Sequence, residues 1–196
     1  MTFELEQELK VLLNKKQFDD LLSFWQLDPL QPSVKQHNTY YDSSDQKLKS
    51  FNAALRLRNF EHSSVWTIKH KQNKFQSHEY HQENSHPILP PVTLSQQFIH
   101  ETRLLTFLSE QAIELNELKQ SYDIQTQRWL VTAEFGEFAL DLSHYGDKVD
   151  YELELEKVQL ETAQIAFKSF LANWGIEMKQ ADTKLSRAAS YTNQKD

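Results

Sequence analysis

The segment Glu4-Leu5-Glu6-Gln7-Glu8-Leu9-Lys10 alternates charged positions with Leu5, Gln7 and Leu9. On a β-strand, whose side chains repeat every second residue, Glu4, Glu6, Glu8 and Lys10 share one face. Three carboxylates on one face repel one another unless cations or basic side chains stand opposite them. Leu5, Leu9, Leu12 and Leu13 also fit helical spacing, so this segment alone leaves strand and helix open.

Further along, the alternation is cleaner. Ala54-Leu55-Arg56-Leu57-Arg58 alternates apolar and basic residues. Val65 to Lys71 sets Lys69 and Lys71 on one face and Trp66, Ile68 and His70 on the other. Ser77 to His81 alternates again, and the three runs read as an antiparallel meander with aligned charged faces. His37–Asp42, Ile124–Val131, Phe138–Leu142 and Asp150–Glu156 are further strands, which makes about eight with the first segment.

Between them the pattern is helical. Asn14 is an N-cap for a helix through Phe18, Leu21, Leu22 and Trp25, and Pro29 and Pro32 then mark a loop. Ser43–Asn52 is a polar connector or one or two helical turns, and Ser85–Pro91 is a proline-rich break. Leu94–Leu118 reads as helical, with Phe98, Leu104, Leu105, Phe107, Leu108 and Ile113 as core contacts. Glu161–Trp174 is an amphipathic helix closed by Gly175, Asp182–Arg187 is short and basic, and Ala188–Asp196 reads as a frayed polar tail. Trp25, Trp66, Trp129 and Trp174 are core residues in this reading.

Length and composition narrow the classes. The 196 residues are long enough for one domain with a sizeable core, taken as residues 1–190 with 191–196 as a flexible tail. No run approaches the ~18 apolar residues a membrane span needs, and the acidic N-terminus lacks a signal-peptide pattern. With no cysteine there is no disulfide, thiolate zinc site or cysteine nucleophile, and the chain reads as cytoplasmic, with no membrane partner. A net charge of −7 argues against nucleic acid as partner. Only three glycines occur, which excludes glycine-rich phosphate loops, so any phosphate chemistry falls to side chains.

The charged faces fall into two classes. Acidic faces belong to the first strand (Glu4, Glu6, Glu8) and the last (Glu152, Glu154, Glu156), and basic ones to the middle strands (Arg56, Arg58, Lys69, Lys71, Arg128). Any one of these is an ordinary solvated face, but solvent faces usually mix charges. Their agreement over five strands suggests a closed barrel with charges inside, where carboxylates bind cations and Arg and Lys bind a polyanion.

Several of these motifs resemble one family, in order along the chain. They are Glu6-Gln7-Glu8-Leu9-Lys10, Leu55-Arg56-Leu57-Arg58, Thr67-Ile68-Lys69, Glu79, Thr126-x-Arg128, Leu140-Asp141 before Tyr145, and Glu152-x-Glu154-x-Glu156. The set resembles the CYTH superfamily of triphosphate tunnel metalloenzymes, and its YjbK-like branch of Gram-positive bacteria in particular. That resemblance makes the first segment a strand. It implies an α+β fold, a closed antiparallel eight-stranded β-barrel with helices packed outside, holding a triphosphate with Mg²⁺ or Mn²⁺. Glu6 and Glu8 with two of Glu152, Glu154 and Glu156 would bind metal, Asp141 would orient a basic residue or join the metal shell, and Glu79 is counted with the metal set. Arg56, Arg58, Lys69, Lys71 and Arg128 would grip phosphate oxygens. Lys10 would sit near the scissile or leaving phosphate, with Glu8 and Arg128 also counted as catalytic, and Lys184 or Arg187 would close one tunnel mouth.

The chain departs from the family at Ser77-His78-Glu79-Tyr80-His81, which lacks an Arg and a second Glu, and at Thr126-Gln127-Arg128, where many members have Lys-x-Arg. His70, His78 and His81 read as surface or packing residues, because hard cations prefer oxygen. The expected activity is metal-dependent hydrolysis of a triphosphate, inorganic or small organic, by a monomer or homodimer. The alternatives are an adenylyl cyclase of class IV type and a non-catalytic polyphosphate- or nucleotide-binding module. Substrate identity and preferred metal stay open at this level.

Overall fold

The computed structural model describes the backbone of residues 3–156 and 160–192, and the side chains of 5–156 and 162–191. The side chain of Glu4 and residues 193–196 of the expected tail lie outside it. Nine strands and five α-helices are formed among the described residues. They are β1 (Phe3–Gln7), β2 (Leu9–Leu13), α1 (Lys15–Phe24), β3 (Val34–Asp42), α2 (Lys47–Ser50), β4 (Ala53–Asn59), β5 (Ser64–Lys71), β6 (Gln76–Asn84), α3 (Thr102–Glu110), β7 (Lys119–Ala133), β8 (Gly136–Tyr145), β9 (Lys148–Glu156), α4 (Leu160–Asn173) and α5 (Lys184–Thr192). The hydrogen-bonded strand order is β1-β6-β5-β4-β3-β7-β8-β9-β2. Nine replaces the expected eight because the first segment changes partner at Glu8: β1 neighbours β6, whereas β2 pairs with β9. No helix among the described residues is long and apolar enough to cross a membrane.

The chain divides into two compact units, residues 1–5 with 36–124, and residues 6–35 with 125–196. In the first, β4 pairs with β3 and β5, and β5 with β6, all antiparallel. Alternation sends Leu55, Leu57, Trp66 and Ile68 fully into a core shared with Tyr41, Leu48, Leu104, Phe107 and Leu108. Fully burying a side chain of this size contributes about 1.5–3 kcal/mol.

The same unit holds the main departure from the sequence reading. Only Thr102–Glu110 of the Leu94–Leu118 stretch is α-helix, with a 3₁₀ turn at Leu115–Glu117. Leu94 and Ile99 are nevertheless buried, because a strand side chain takes up the loop's backbone. Gln82 of β6 donates to the Phe98 carbonyl at 2.8 Å and accepts the His100 and Glu101 N–H groups at 2.8 and 3.0 Å. A loop whose polar groups are met this way can be buried without being helical. The helix then ends at Ala112, at φ 51°, with Ala112 N–H on Ser109 O and Ile113 N–H on Leu108 O. That is the paired closure of a helix C-terminus around a left-handed residue.

In the second unit, β8 pairs with β7 and β9, and β9 with β2, again antiparallel. Leu9, Val11, Leu140, Leu153 and Leu155 are buried on one face of these strands. Asn14 caps α1 as expected: its side chain accepts Gln17 N–H at 2.9 Å, and Gln17 Oε1 accepts Asn14 N–H at 3.0 Å. Phe18 of α1 packs on Trp129 and Tyr151 at 5.7 and 4.9 Å between ring centroids. Gly175, at φ 61°, closes α4, with Ile176 N–H on Leu171 O at 3.0 Å. Of the four tryptophans, Trp66 and Trp129 are buried, whereas Trp25 and Trp174 are half-buried in an aromatic cluster with Phe24 and Phe170. The fraying expected from Ala188 onward gives way to α5 through Thr192, with Ala188 buried.

Candidate active site

The second unit carries an ionic network built by strand register. Arg128 lies opposite Asp141 across β7 and β8, Asp141 opposite Glu152 across β8 and β9, and Glu154 opposite Lys10 across β9 and β2. The Arg128 guanidinium forks onto Asp141, with Nε 2.8 Å from Oδ1 and Nη2 2.7 Å from Oδ2. It also donates to Glu154 at 2.5 Å and to Glu156 at 2.6 Å. Lys184 of α5 reaches Asp141, Glu152 and Glu154 at 2.8, 3.1 and 2.7 Å. Lys10 Nζ is 2.6 Å from Glu8 and 3.7 Å from Glu154. Arg187 pairs with Asp150 at 2.8 Å and with Glu152. Tyr145 donates its hydroxyl to Asp150.

Within this network, oxygens of Glu8, Glu154 and Glu156 all lie within 4.8 Å of one another. Three convergent carboxylates are the donor set a hard divalent cation such as Mg²⁺ or Mn²⁺ takes. The connected carboxylates are Glu8, Asp141, Asp150, Glu152, Glu154 and Glu156, and the cations facing them are Lys10, Arg128, Lys184 and Arg187. Among the ion pairs of the described residues, these carboxylates outnumber these cations by two.

Protonation follows the same imbalance. Burial pushes Glu152 up to about 7, opposed by Lys184 and reinforced by Glu154. Burial likewise pushes Glu156 up to about 7, opposed by Arg128 and reinforced by Glu154 and Glu8. Glu154 is buried too, but Lys184, Arg128 and Lys10 hold its carboxyl well below the ordinary range. Asp141 is lowered despite burial, by Arg128 and then Lys184. The network thus resolves into carboxylates that cations keep ionised, Glu154 and Asp141, and carboxylates that burial brings to titrate near neutral pH, Glu152 and Glu156.

The first unit carries a basic cluster on β4, β5 and β6. Register aligns Arg56, Thr67 and His81 in one row and Ala54, Lys69 and Glu79 in the next. Arg58 Nε donates to Asn38 Oδ1 at 2.8 Å, and Asn38 donates to the Ile124 carbonyl at 3.3 Å. Lys69 lies 3.2 Å from Glu79, and His81 Nε2 lies 3.4 Å from the other Glu79 oxygen. Burial raises the Glu79 pKa, but Lys69, Arg56, His81 and Arg58 outweigh it and bring it down to about 2. Glu79 is therefore an anion held among cations.

Other residues singled out in the sequence have separate placements. Lys71 is exposed at the end of β5, and Glu6 is half-buried on β1 and is not one of the three convergent carboxylates. Asp150 and Asn38, which fix Arg187 and Arg58, were not singled out. Asp150 is legible in hindsight, two residues before Glu152 on the same alternating row, whereas Asn38 carries no local signal.

The CYTH domain family matches residues 4–189 of this chain. A Bacillus subtilis (strain 168) protein described as "Putative triphosphatase YjbK" is 28% identical over 189 residues, covering 95% of each chain. A crystal structure of a "putative adenylate cyclase" from Bacillus halodurans matches with a TM-score of 0.80 and 26% identity, covering 95% of this chain and 98% of that one. A Hippeastrum protein described as a "putative adenylyl cyclase" with a dominant triphosphatase activity shares the fold at a TM-score of 0.69 and 21% identity, over 95% of both chains. The fold class expected from the sequence, an α+β antiparallel β-barrel with helices outside, is the one this chain shares with these relatives. The chain belongs to the CYTH family.

Proposed function

We propose that this protein is a divalent-metal-dependent triphosphatase that cleaves a phosphoanhydride bond of inorganic tripolyphosphate or a small organic triphosphate. The observation that carries the reading is the convergence of Glu8, Glu154 and Glu156 beside Lys10, in a chain of the CYTH family. These three carboxylates would hold Mg²⁺ or Mn²⁺. Such an ion neutralises charge on phosphate oxygens and acidifies bound water.

The chain's own residues divide the remaining work. Arg56, Arg58 and Lys69 bind phosphate oxygens, with Arg58 oriented by Asn38 and Lys69 by Glu79. Lys10, held by Glu8, brings positive charge to the oxygen that leaves when water adds to phosphorus. Arg128 and Lys184 serve chiefly as organisers of the carboxylates, because their nitrogens are spent on Asp141, Glu152, Glu154 and Glu156. Glu152 and Asp141 support the metal ligands, while Glu79 belongs with the phosphate-binding cations.

The test is phosphate release from tripolyphosphate, pyrophosphate, ATP and thiamine triphosphate with Mg²⁺ or Mn²⁺, alongside a cyclic-AMP readout. Metal-dependent release from at least one triphosphate is expected. Cyclic AMP without phosphate release would overturn the reading in favour of a cyclase. Binding without turnover would make the protein a polyphosphate-binding module.

A further inference from the structure

The segment between α4 and α5 runs beside β2 at Lys10. Lys10 stands opposite Glu154 across β2 and β9, yet its own N–H and C=O are engaged elsewhere. Lys10 N–H donates to Gln180 Oε1 at 3.0 Å, and Lys10 C=O accepts Ala181 N–H at 3.0 Å. Antiparallel pairing alternates between residues that exchange backbone bonds and residues whose polar groups point away, and Lys10 is of the second kind. At β2's outer edge the Gln180 side-chain oxygen therefore stands in for the carbonyl of a further strand.

Two observations make this contact more than edge cover. Among the described residues, Gln180 Nε2 is buried and has no hydrogen-bond partner. An unsatisfied buried amide nitrogen is destabilising, so the stability of its own side chain does not explain a glutamine here. The segment is also pinned at both ends, by the Ile176 N–H bond that closes α4 and by Lys184 on Asp141, Glu152 and Glu154. The clamp therefore ties the Lys10 backbone to the frame that holds the carboxylates.

We propose that Gln180 is a positioning residue for Lys10, fixing its backbone so that its ammonium group stays between Glu8 and Glu154. The proposal rests on the triphosphatase reading for its kinetic consequence. Gln180→Met removes the acceptor, and Gln180→Glu keeps it. Small misplacements of a reacting group cost up to about 100-fold in rate, so Gln180→Met should lower kcat for tripolyphosphate by roughly 10- to 100-fold. KM should stay within about threefold, because Arg56, Arg58 and Lys69 are untouched. Gln180→Glu should keep kcat within about threefold of the parent. The thermal midpoint of Gln180→Met should move by less than about 4 °C, since the lost acceptor is offset by removal of the unsatisfied donor.

Hydrogen exchange supplies a readout that needs no turnover. The Lys10 amide should exchange at least about tenfold faster in Gln180→Met but not in Gln180→Glu, with Val11 unchanged in both. Parental kcat in Gln180→Met, or a kcat loss without faster Lys10 exchange, would overturn the proposal. Equal impairment of the Glu and Met variants would overturn it too. If the parent cleaves no triphosphate, the triphosphatase reading fails on its own, and the exchange arm still decides whether Gln180 holds Lys10.

Discussion

Replacing Arg128 by Met is the perturbation that most directly probes the ionic network. The side chain is 10% exposed and holds Asp141 through two bonds at 2.7 and 2.8 Å, Glu154 at 2.5 Å and Glu156 at 2.6 Å. Met fills much of the same volume but leaves these carboxylates with less positive charge. Lys184 still reaches Asp141 and Glu154, whereas Arg128 is the cation on Glu156 among the ion pairs of the described residues. Breaking a buried pair by removing one partner costs about 3–5 kcal/mol. For a chain of this size that is a fall in melting temperature of roughly 6–20 °C at pH 7.5. The pH dependence carries the sharper signature. Without the guanidinium, Glu156 should titrate even higher than about 7, and Asp141 and Glu154 should move up as well. A carboxylate with a folded-state pKa above its unfolded value contributes stability that is full below the unfolded value and lost as pH rises through the folded one. The deficit of the Met variant should therefore shrink between pH 8 and pH 5.5, measured by urea unfolding followed by circular dichroism. Arg128→Lys, which keeps the charge and loses the fork, should fall between. A Met variant within about 1 kcal/mol of the parent at pH 7.5, or a deficit that grows on acidification, would refute this account.

The remaining predictions concern the proposed metal ligands, the cation cluster and a helix terminus. Glu8→Gln removes a charge that a hard cation would need, so hydrolysis should fall by about two orders of magnitude or more; steady-state rates across a Mn²⁺ titration check this. Arg56→Ala removes one of several proposed phosphate contacts and should raise KM more than it lowers kcat in the same assay. Glu79 has its pKa lowered to about 2, so its stabilisation is present above the unfolded value near 4.5 and lost as pH falls from there towards 2. Glu79→Gln should cost on the order of 3 kcal/mol at pH 7 and flatten acid unfolding across that window, read by melts between pH 2 and 6. Ala112 holds a left-handed conformation at φ 51°, which suits glycine. Ala112→Gly should stabilise by about 0.5–1 kcal/mol in urea unfolding, the relieved strain slightly exceeding the added chain entropy.

What the sequence disclosed, and what it hid, divides along a physical line. Alternation is local, so Leu55, Leu57, Ile68 and Leu153 could be assigned to the core side from neighbouring residues, and all four are fully buried. Long-range partner choice is not local. Glu4 to Lys10 alternates without interruption, yet the strand changes partner at Glu8, and nothing in those residues encodes whether β6 or β9 lies alongside. The same limit applies at the site. Glu152, Glu154 and Glu156 share a strand face in any reading, but only register with Asp141 and Lys10 shows which carboxylates cations occupy and which converge. Helix ends add a further cause. α1, α3 and α4 all close around a left-handed residue, and these are Gln26 at φ 54°, Ala112 at 51° and Gly175 at 61°. Glycine advertises that conformation, and only Gly175 was legible in advance. With three glycines in the chain, most left-handed positions fall to residues that carry a Cβ. Their strain is borne by hydrogen bonds such as Leu27 N–H to Leu22 O at 2.9 Å and Ile113 N–H to Leu108 O at 2.9 Å. The helical reading of Leu94–Leu118 failed for a related reason: its apolar content was real, but Gln82, a strand residue at least twelve positions earlier, meets the backbone groups that a helix would have met.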